Sequence, residues 1–430
     1  MARPRVAPRR WRCYAGRAES CCGGGRVTEI AASSTWRAES PSPAGLALTR
    51  ATSAAFAFGI ALDVVPLGGV GSVARIAGLA FSAAVVWRLL LVGRVRPPTT
   101  AVLLLTGFTA WAALSVFWAS DVKSAVTMMM SYAQLLSFLW LGWQVVRTRR
   151  DWQILAAGYV AGCAVATIAT WMANLAGVAY SGAEYDTRYA AFGFDPNDMG
   201  VTLAIAIPLA VHLGVAAKGI RRIAWFSYVP LAVSATVLTG SRGASITTAV
   251  ALASATYIGM RTGARFVVPL GGLVTAGLVA ATLWSPPATW RRIVTLGSEF
   301  SGGTLSDRVP IWSAGLAVLA RHPLAGVGVA GFPEAVTPAL SRSIVAHNTP
   351  LSVAVELGVV GLALFLGAFL SVVRASRVRR SARRLVLAIV GTWFVGAASL
   401  TWEYRKTTWL VLLLAATVSA LEDVPAEDDE

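Results

Sequence analysis

Apolar and polar positions divide this chain into long hydrophobic blocks separated by short polar breaks. Blocks of about 18–25 residues have the length that crosses a bilayer as a helix. The pattern predicts twelve of them, at roughly 48–67, 72–93, 100–118, 124–146, 153–176, 199–217, 223–239, 244–260, 265–284, 349–373, 385–401 and 407–421. The first is the least regular, because Asp63 and Pro66 sit near its end. One interval breaks the series: between Trp284 and Glu356 lie mostly polar residues, the one long non-hydrophobic stretch after the N-terminal region. No internal repeat of the length used by solenoids is visible. The expected fold class is therefore all-α: a polytopic membrane protein of about twelve transmembrane helices, with one large extracytoplasmic loop (285–348) between spans 9 and 10. The membrane domain covers 46–421.

Residues 1–45 are rich in Arg, Ser, Pro and Gly and lack apolar periodicity, so they are expected to be a disordered basic extension. They contain no apolar h-region and so do not form a cleavable signal peptide; translation from near Val27 is an equally open reading. An acidic tail closes the sequence at 422–430.

Composition sharpens this picture. Of 430 residues 56% are hydrophobic and only 13% charged, against about 25% charged in soluble proteins. The net charge of +16 could suggest nucleic acid, but its distribution argues otherwise. Arg94/Arg96, Arg147/Arg149/Arg150, Lys218/Arg221/Arg222, Arg261/Arg265 and the run from Arg374 to Arg384 all fall on one side of the predicted spans. That is the positive-inside pattern; it places these loops and both termini in the cytoplasm and excludes nucleic acid as a partner. Trp118–Lys123, Tyr180–Asp198, Thr239–Gly243, 285–348 and Glu403–Lys406 are then extracytoplasmic. Cys13, Cys21, Cys22 and Cys163 lack metal-site spacing, so neither a structural disulfide nor a metal site is expected.

Four places on the predicted outer face can carry chemistry. Phe194-Asp195-Pro196-Asn197 precedes the sixth span, where it reads either as a helix cap or, through Asn197, as the polar edge of a substrate cavity. Thr239-Gly240-Ser241-Arg242-Gly243 joins two spans with almost no loop, so Arg242 sits at the apolar boundary. It either snorkels to lipid or binds a substrate phosphate, for which a guanidinium fork is suited. Arg308 and Trp312 are spaced i, i+4 and share a face if that piece is helical. They form a surface amphipathic helix or offer a second cation for a diphosphate. Finally, His347 stands at a loop–membrane junction, where a neutral imidazole can accept a proton. Asn348 beside it can cap a helix or contact substrate, and Glu356, about two turns into the span, needs a partner or a cavity. Of the other histidines, His212 lies in an apolar span and His322 precedes Pro323 in a turn. Gly326-Val327-Gly328-Val329-Ala330-Gly331 matches G-x-G-x-x-G but lies in a loop between spans, which excludes the dinucleotide reading.

These stretches resemble the O-antigen ligase and O-antigen polymerase superfamily of bacterial envelope glycosyltransferases. The resemblance rests on Phe194–Asn197, Thr239–Gly243, Arg308 with Trp312 and His322–Gly328, and Ala346–Asn348 with Glu356-Leu357-Gly358 and Gly361. It implies metal- and cofactor-independent transfer of a polyprenyl-diphosphate-linked glycan to a glycan, lipid or protein acceptor at the extracytoplasmic face of the inner membrane. It also implies that Arg242 and Arg308 handle the diphosphate and that His347 activates the acceptor. Asn197, Ser241, Trp312, Asn348 and Glu356 are the expected substrate-binding residues. Polymerase and ligase are not distinguished. The competing reading is a multi-spanning transporter of a small solute or lipid-linked intermediate, which calls for ionisable groups at mid-membrane depth and broken helices in matching halves.

Overall fold

A computed structural model describes residues 43–66, 71–180, 188–259, 264–295, 297, 303 and 305–421. The expected disordered extension, apart from its last residues, and the acidic tail lie outside these. The helices are α1 (Pro43–Ile60), α2 (Val73–Val92), α3 (Thr100–Leu114, prolonged by a 3-10 turn Ser115–Trp118), α4 (Val122–Val145), α5 (Arg149–Leu175), α6 (Pro196–Ala216), α7 (Gly219–Leu238), α8 (Arg242–Gly259), α9 (Ala264–Trp284), α10 (Pro287–Val294), α11 (Arg308–Arg321), α12 (Phe332–Leu340), α13 (Thr349–Ala375), α14 (Arg380–Ala397) and α15 (Lys406–Ala420). No strand occurs among the described residues beyond one isolated bridge between Pro66 and Ser72.

Each of the twelve predicted apolar blocks is a helix. Seven helices among the described residues are long and apolar enough to cross a membrane: α2, α3 with its 3-10 turn, α4, α5, α6, α9 and α13. α1 and α15 are shorter apolar helices. Arg221 and Arg222 at the start of α7, the arginines that open α14, and the Ser and Thr side chains of α8 dilute the apolar character of those three. α1 ends at Ile60 rather than near 67. The chain turns there because the Asp63 carboxylate accepts hydrogen bonds from Lys406 Nζ at 2.7 and 2.8 Å and from Ser72 Oγ at 3.0 Å.

α6 and α15 form the centre of the bundle. α6 is apolar around its whole circumference and buried along nearly its full length, as such a helix must be. α15 is buried from Thr407 to Thr417. Aromatic rings fill the space between neighbours: Phe56 of α1 packs edge-on against Phe138 of α4, and Trp393 of α14 stacks on Phe369 of α13 at 4.1 Å. His212 is likewise packed, edge-on to Trp152.

The interval read as mostly polar folds around an apolar core of its own. Ile311 and Val318 of α11, Phe332 and Val336 of α12, Ala346 and Val355 bury one another, with Trp312 packed against them. This small layer rests on α13 and fixes where its polar edge lies.

Candidate functional site

α13 is not continuous. At Gly358 the backbone leaves the helix with φ 66° and ψ −173°. A break inside a membrane span frees carbonyls that must find donors. Three donors are supplied: Val327 N–H to Val355 O (3.0 Å), Gly328 N–H to Glu356 O (2.9 Å) and the Trp111 indole N–H to Leu357 O (2.9 Å). In return, Val359 N–H donates to Pro323 O at 2.8 Å. The loop 322–328 thus lies directly on the unwound helix, so close that a Cβ on Gly358 would overlap Leu324 O and one on Gly326 would overlap Glu356 O. This explains the G-x-G spacing. The glycines let one backbone dock onto another, and the turn is tightly packed.

Glu356 belongs to the same joint. Its carboxylate, 6% exposed, accepts Ala330 N–H at 2.9 Å and Phe332 N–H at 3.4 Å. It therefore holds the loop that opens α12.

Above this joint, α11 is tied to the corner before α13. The Trp312 indole donates to Ala346 O at 3.0 Å. Because Arg308 lies one turn earlier on the same face, that bond turns Arg308 toward residues 346–347. Asn348 caps α13, its side chain accepting Leu351 N–H at 2.9 Å and donating to Ala398 O at 3.2 Å. His347 itself takes a left-handed backbone (φ 46°), unusual for a residue other than glycine, held by its N–H donating to Thr401 Oγ1 at 2.9 Å. The His347 imidazole makes no hydrogen bond to the described residues. Neither does the guanidinium of Arg308.

Arg308 is presented by three successive left-handed residues, Leu305, Ser306 and Asp307. Ser306 accepts a hydrogen bond from Arg242 Nη1 at 2.9 Å. Arg242 is further fixed by Arg292 O (2.9 Å) and Thr295 Oγ1 (3.0 Å), at the C-terminal end of α10. Strained left-handed runs of this kind concentrate at functional sites.

The remaining wall is Asp195–Asp198. Asp195 caps α6, accepting the N–H groups of Asn197 and Asp198, with Pro196 in the first turn. The Asn197 carbonyl accepts Ser241 Oγ–H at 2.8 Å and the buried Arg188 Nη2 at 2.8 Å. Arg188 Nε also holds Thr239 O at 2.8 Å. Asp198 accepts the Trp402 indole at 2.8 Å and pairs with Arg405. A small cavity beside this pair is lined by Asp63, Phe194, Trp402 and Lys406 among others.

The electrostatics link these pieces. Burial, with Arg308 adding to it, lowers the His347 pKa below its usual value, while Asp195 opposes the shift. The imidazole is therefore neutral at pH 7. Burial also lowers the Arg308 pKa, as does Arg242, and Asp195 again acts in the opposite sense. Arg308 thus lies within electrostatic reach of Arg242, Asp195 and His347. Glu403 lies outside this group. Ser352 Oγ–H donates to its Oε1 at 2.8 Å, its Oε2 is buried without a hydrogen bond from the described residues, and burial pushes its carboxyl pKa upward. No group of three His, Cys, Asp or Glu residues able to hold a metal ion occurs among the described residues.

Of the residues singled out in the sequence, Arg242, Arg308 and His347 come to one end of the bundle. Asn197 and Ser241 bond to each other on its wall, Trp312 and Asn348 frame His347, and Glu356 sits beneath the loop. Four participants escaped sequence reasoning as individual residues. Arg188 is one arginine in a long loop, and the Trp402/Arg405 pair lies in a short inter-helix segment. Asp195 stood out only as part of a turn motif.

Residues 226–366, about a third of the chain, match the family model described as O-antigen ligase. The matched segment contains Ser241, Arg242, Arg308, Trp312, His347, Asn348 and Glu356, and ends before α14. It supports the O-antigen ligase and polymerase superfamily, and with it a ligase-type enzyme of the bacterial envelope. Together with seven helices among the described residues that are long and apolar enough to cross a membrane, this supports a multi-pass membrane protein. No curated protein matches it.

Proposed function

We propose that this protein transfers a glycan from a polyprenyl-diphosphate carrier to an acceptor hydroxyl, as ligase or polymerase, on the extracytoplasmic side and without a metal. The carrying observation is the meeting of two side chains that make no hydrogen bond to the described residues, Arg308 and His347, with Arg242 and Asp195 in electrostatic reach. In this reading the two guanidiniums receive the diphosphate, whose charge grows as it leaves. The acceptor oxygen attacks the anomeric carbon and the bond from that carbon to the diphosphate oxygen breaks. The acceptor proton passes to the neutral His347 imidazole. Asn197, Ser241 and Asn348 contact the substrate beside these groups, and Trp312 and Glu356 hold α11 and the loop in register.

The outward orientation of the site follows from the arginine distribution. It requires twelve crossings, with α1, α7, α8, α14 and α15 spanning in addition to the seven longer helices.

The test uses purified protein in liposomes, a polyprenyl-diphosphate oligosaccharide, a panel of acceptors and a chelator. Released carrier diphosphate together with a relocated or lengthened glycan supports the proposal, and the product ladder separates polymerase from ligase. The transporter alternative draws on the break in α13. Its freed carbonyls already have donors from Val327, Gly328 and Trp111, however, which leaves little for a transported ion to bind. Solute uptake without turnover would favour that alternative.

A further inference from the structure

At the opposite end of the bundle a second polar cluster is left over from the chemistry above. Asp63, beside the first site, pairs with Lys406 and Ser72. α1 reaches that corner from Arg50, and α2 leaves it toward Arg88, fifteen residues beyond Val73 and so about 22 Å along the helix. There Arg50 and Arg88, with Thr49, Ser53, Val145, Val146, Asp151 and Ile154, line a cavity.

The charges in this cavity do not balance. Asp151 is its one acid, and both of its oxygens are engaged. Oδ1 accepts Arg50 Nε at 2.7 Å, while Oδ2 accepts the backbone N–H groups of Arg147 (3.3 Å) and Thr148 (3.0 Å) as the box that starts α5. Arg96 stacks over Trp143 at 3.6 Å and Arg147 Nε donates to Gln144 O, so both guanidiniums are engaged elsewhere. Arg88, half-buried in the cavity wall, donates no hydrogen bond to the described residues. Asp151 lies within electrostatic reach of Arg88 but gives it no hydrogen bond, so the guanidinium fork is open to an anion. The exposed face of α2 beside it is apolar, with Trp87, Leu90 and Leu91 each more than half exposed.

We infer that the mouth of this narrow, open pocket is a phosphate-binding site, with Arg88 and Arg50 as its donors, that takes the phosphate of an anionic lipid whose acyl chains lie along Trp87, Leu90 and Leu91. A phosphodiester fits a guanidinium fork, and basic pockets between membrane helices are suited to such headgroups. The inference stands on residues apart from the transfer site and does not depend on that site's function.

The test takes full-length protein, delipidated in detergent. It measures the melting midpoint and, by native mass spectrometry, the number of retained lipids on titration with phosphatidylglycerol, phosphatidylcholine or inorganic phosphate. Phosphatidylglycerol is expected to bind and raise the midpoint where phosphatidylcholine does not. Arg88→Gln is expected to weaken that binding about tenfold, with Arg88→Lys intermediate because it keeps the charge and loses the fork. Arg374→Gln, which removes an exposed cation in the last turn of α13, is expected to leave it unchanged. If inorganic phosphate alone reproduces the shift with the same Arg88 dependence, the phosphate site stands and its source is free phosphate. Equal effects of the two lipids on the wild-type protein, or unaltered binding by Arg88→Gln, would overturn the inference. Should both Arg88 variants fail to fold, the wild-type headgroup comparison decides.

Discussion

His347 is held in a left-handed backbone by Thr401, the Ala346–Trp312 bond and the Asn348 cap, yet its ring makes no hydrogen bond to the described residues. That combination favours a proton acceptor at the site over a packed core histidine. Its pKa lies below the usual value of about 6.5. A base works in its neutral form, so transfer is lost as pH falls through that lowered pKa, and the acid limb of kcat/KM should lie below 6.5. Arg308→Gln removes a positive neighbour and should move the limb upward, besides slowing the reaction. Asp195→Asn keeps a capping side chain, removes the opposing charge and should move the limb downward. A limb that stays in place in both variants would show that the titrating group is not His347. At this scale much could be read from the sequence. In a chain with few charges, Arg242, Arg308 and His347 stand out at the ends of apolar blocks. Arg188 and Asp195 could not be assigned, because their roles come from Thr239, Asn197 and Arg308, which only the fold brings near them.

The segments between the helices show why pattern alone falls short. Block lengths predict helices well, since the apolar run must match the bilayer. They cannot show that α13 is broken, because Gly358 sits in a mostly apolar run and the break depends on contact with Leu324. Nor can they show that the interval before α13 has a core, since Ile311, Val318, Phe332 and Val336 are spread over two short helices. Gly358→Ala should destabilise the protein by about 3 kcal/mol or more, since it combines a left-handed φ with a clash against backbone. Thermal unfolding in detergent reads this directly. Trp312→Phe keeps the ring and loses the bond to Ala346. It should lower kcat roughly fivefold through looser placement of Arg308, with the melting point little changed. Glu403→Gln should be tolerated better than Glu403→Ala, because burial already favours the neutral carboxyl and the amide can still accept from Ser352.

On the scale of the whole molecule, the bundle separates two polar ends. One carries Asp195, Asp198, Arg242, Arg308, His347 and Arg405; the other carries the Arg50–Asp151 pair and Arg88. In the proposed reading the first end faces outward. A single cysteine at position 303, in an otherwise cysteine-free background, should be labelled by an impermeant reagent from the outer side of intact membranes. Labelling from the cytoplasmic side alone would invert the topology. In the proposed mechanism Arg308 and His347 act together on one substrate. The most direct measurement is single-turnover transfer from a polyprenyl-diphosphate oligosaccharide by the wild type, Arg308→Ala and His347→Ala, each shown to be inserted and folded. Each substitution is expected to slow transfer by about 100-fold or more, and the two together to cost little beyond the larger single effect. Full transfer by either variant would contradict this mechanism.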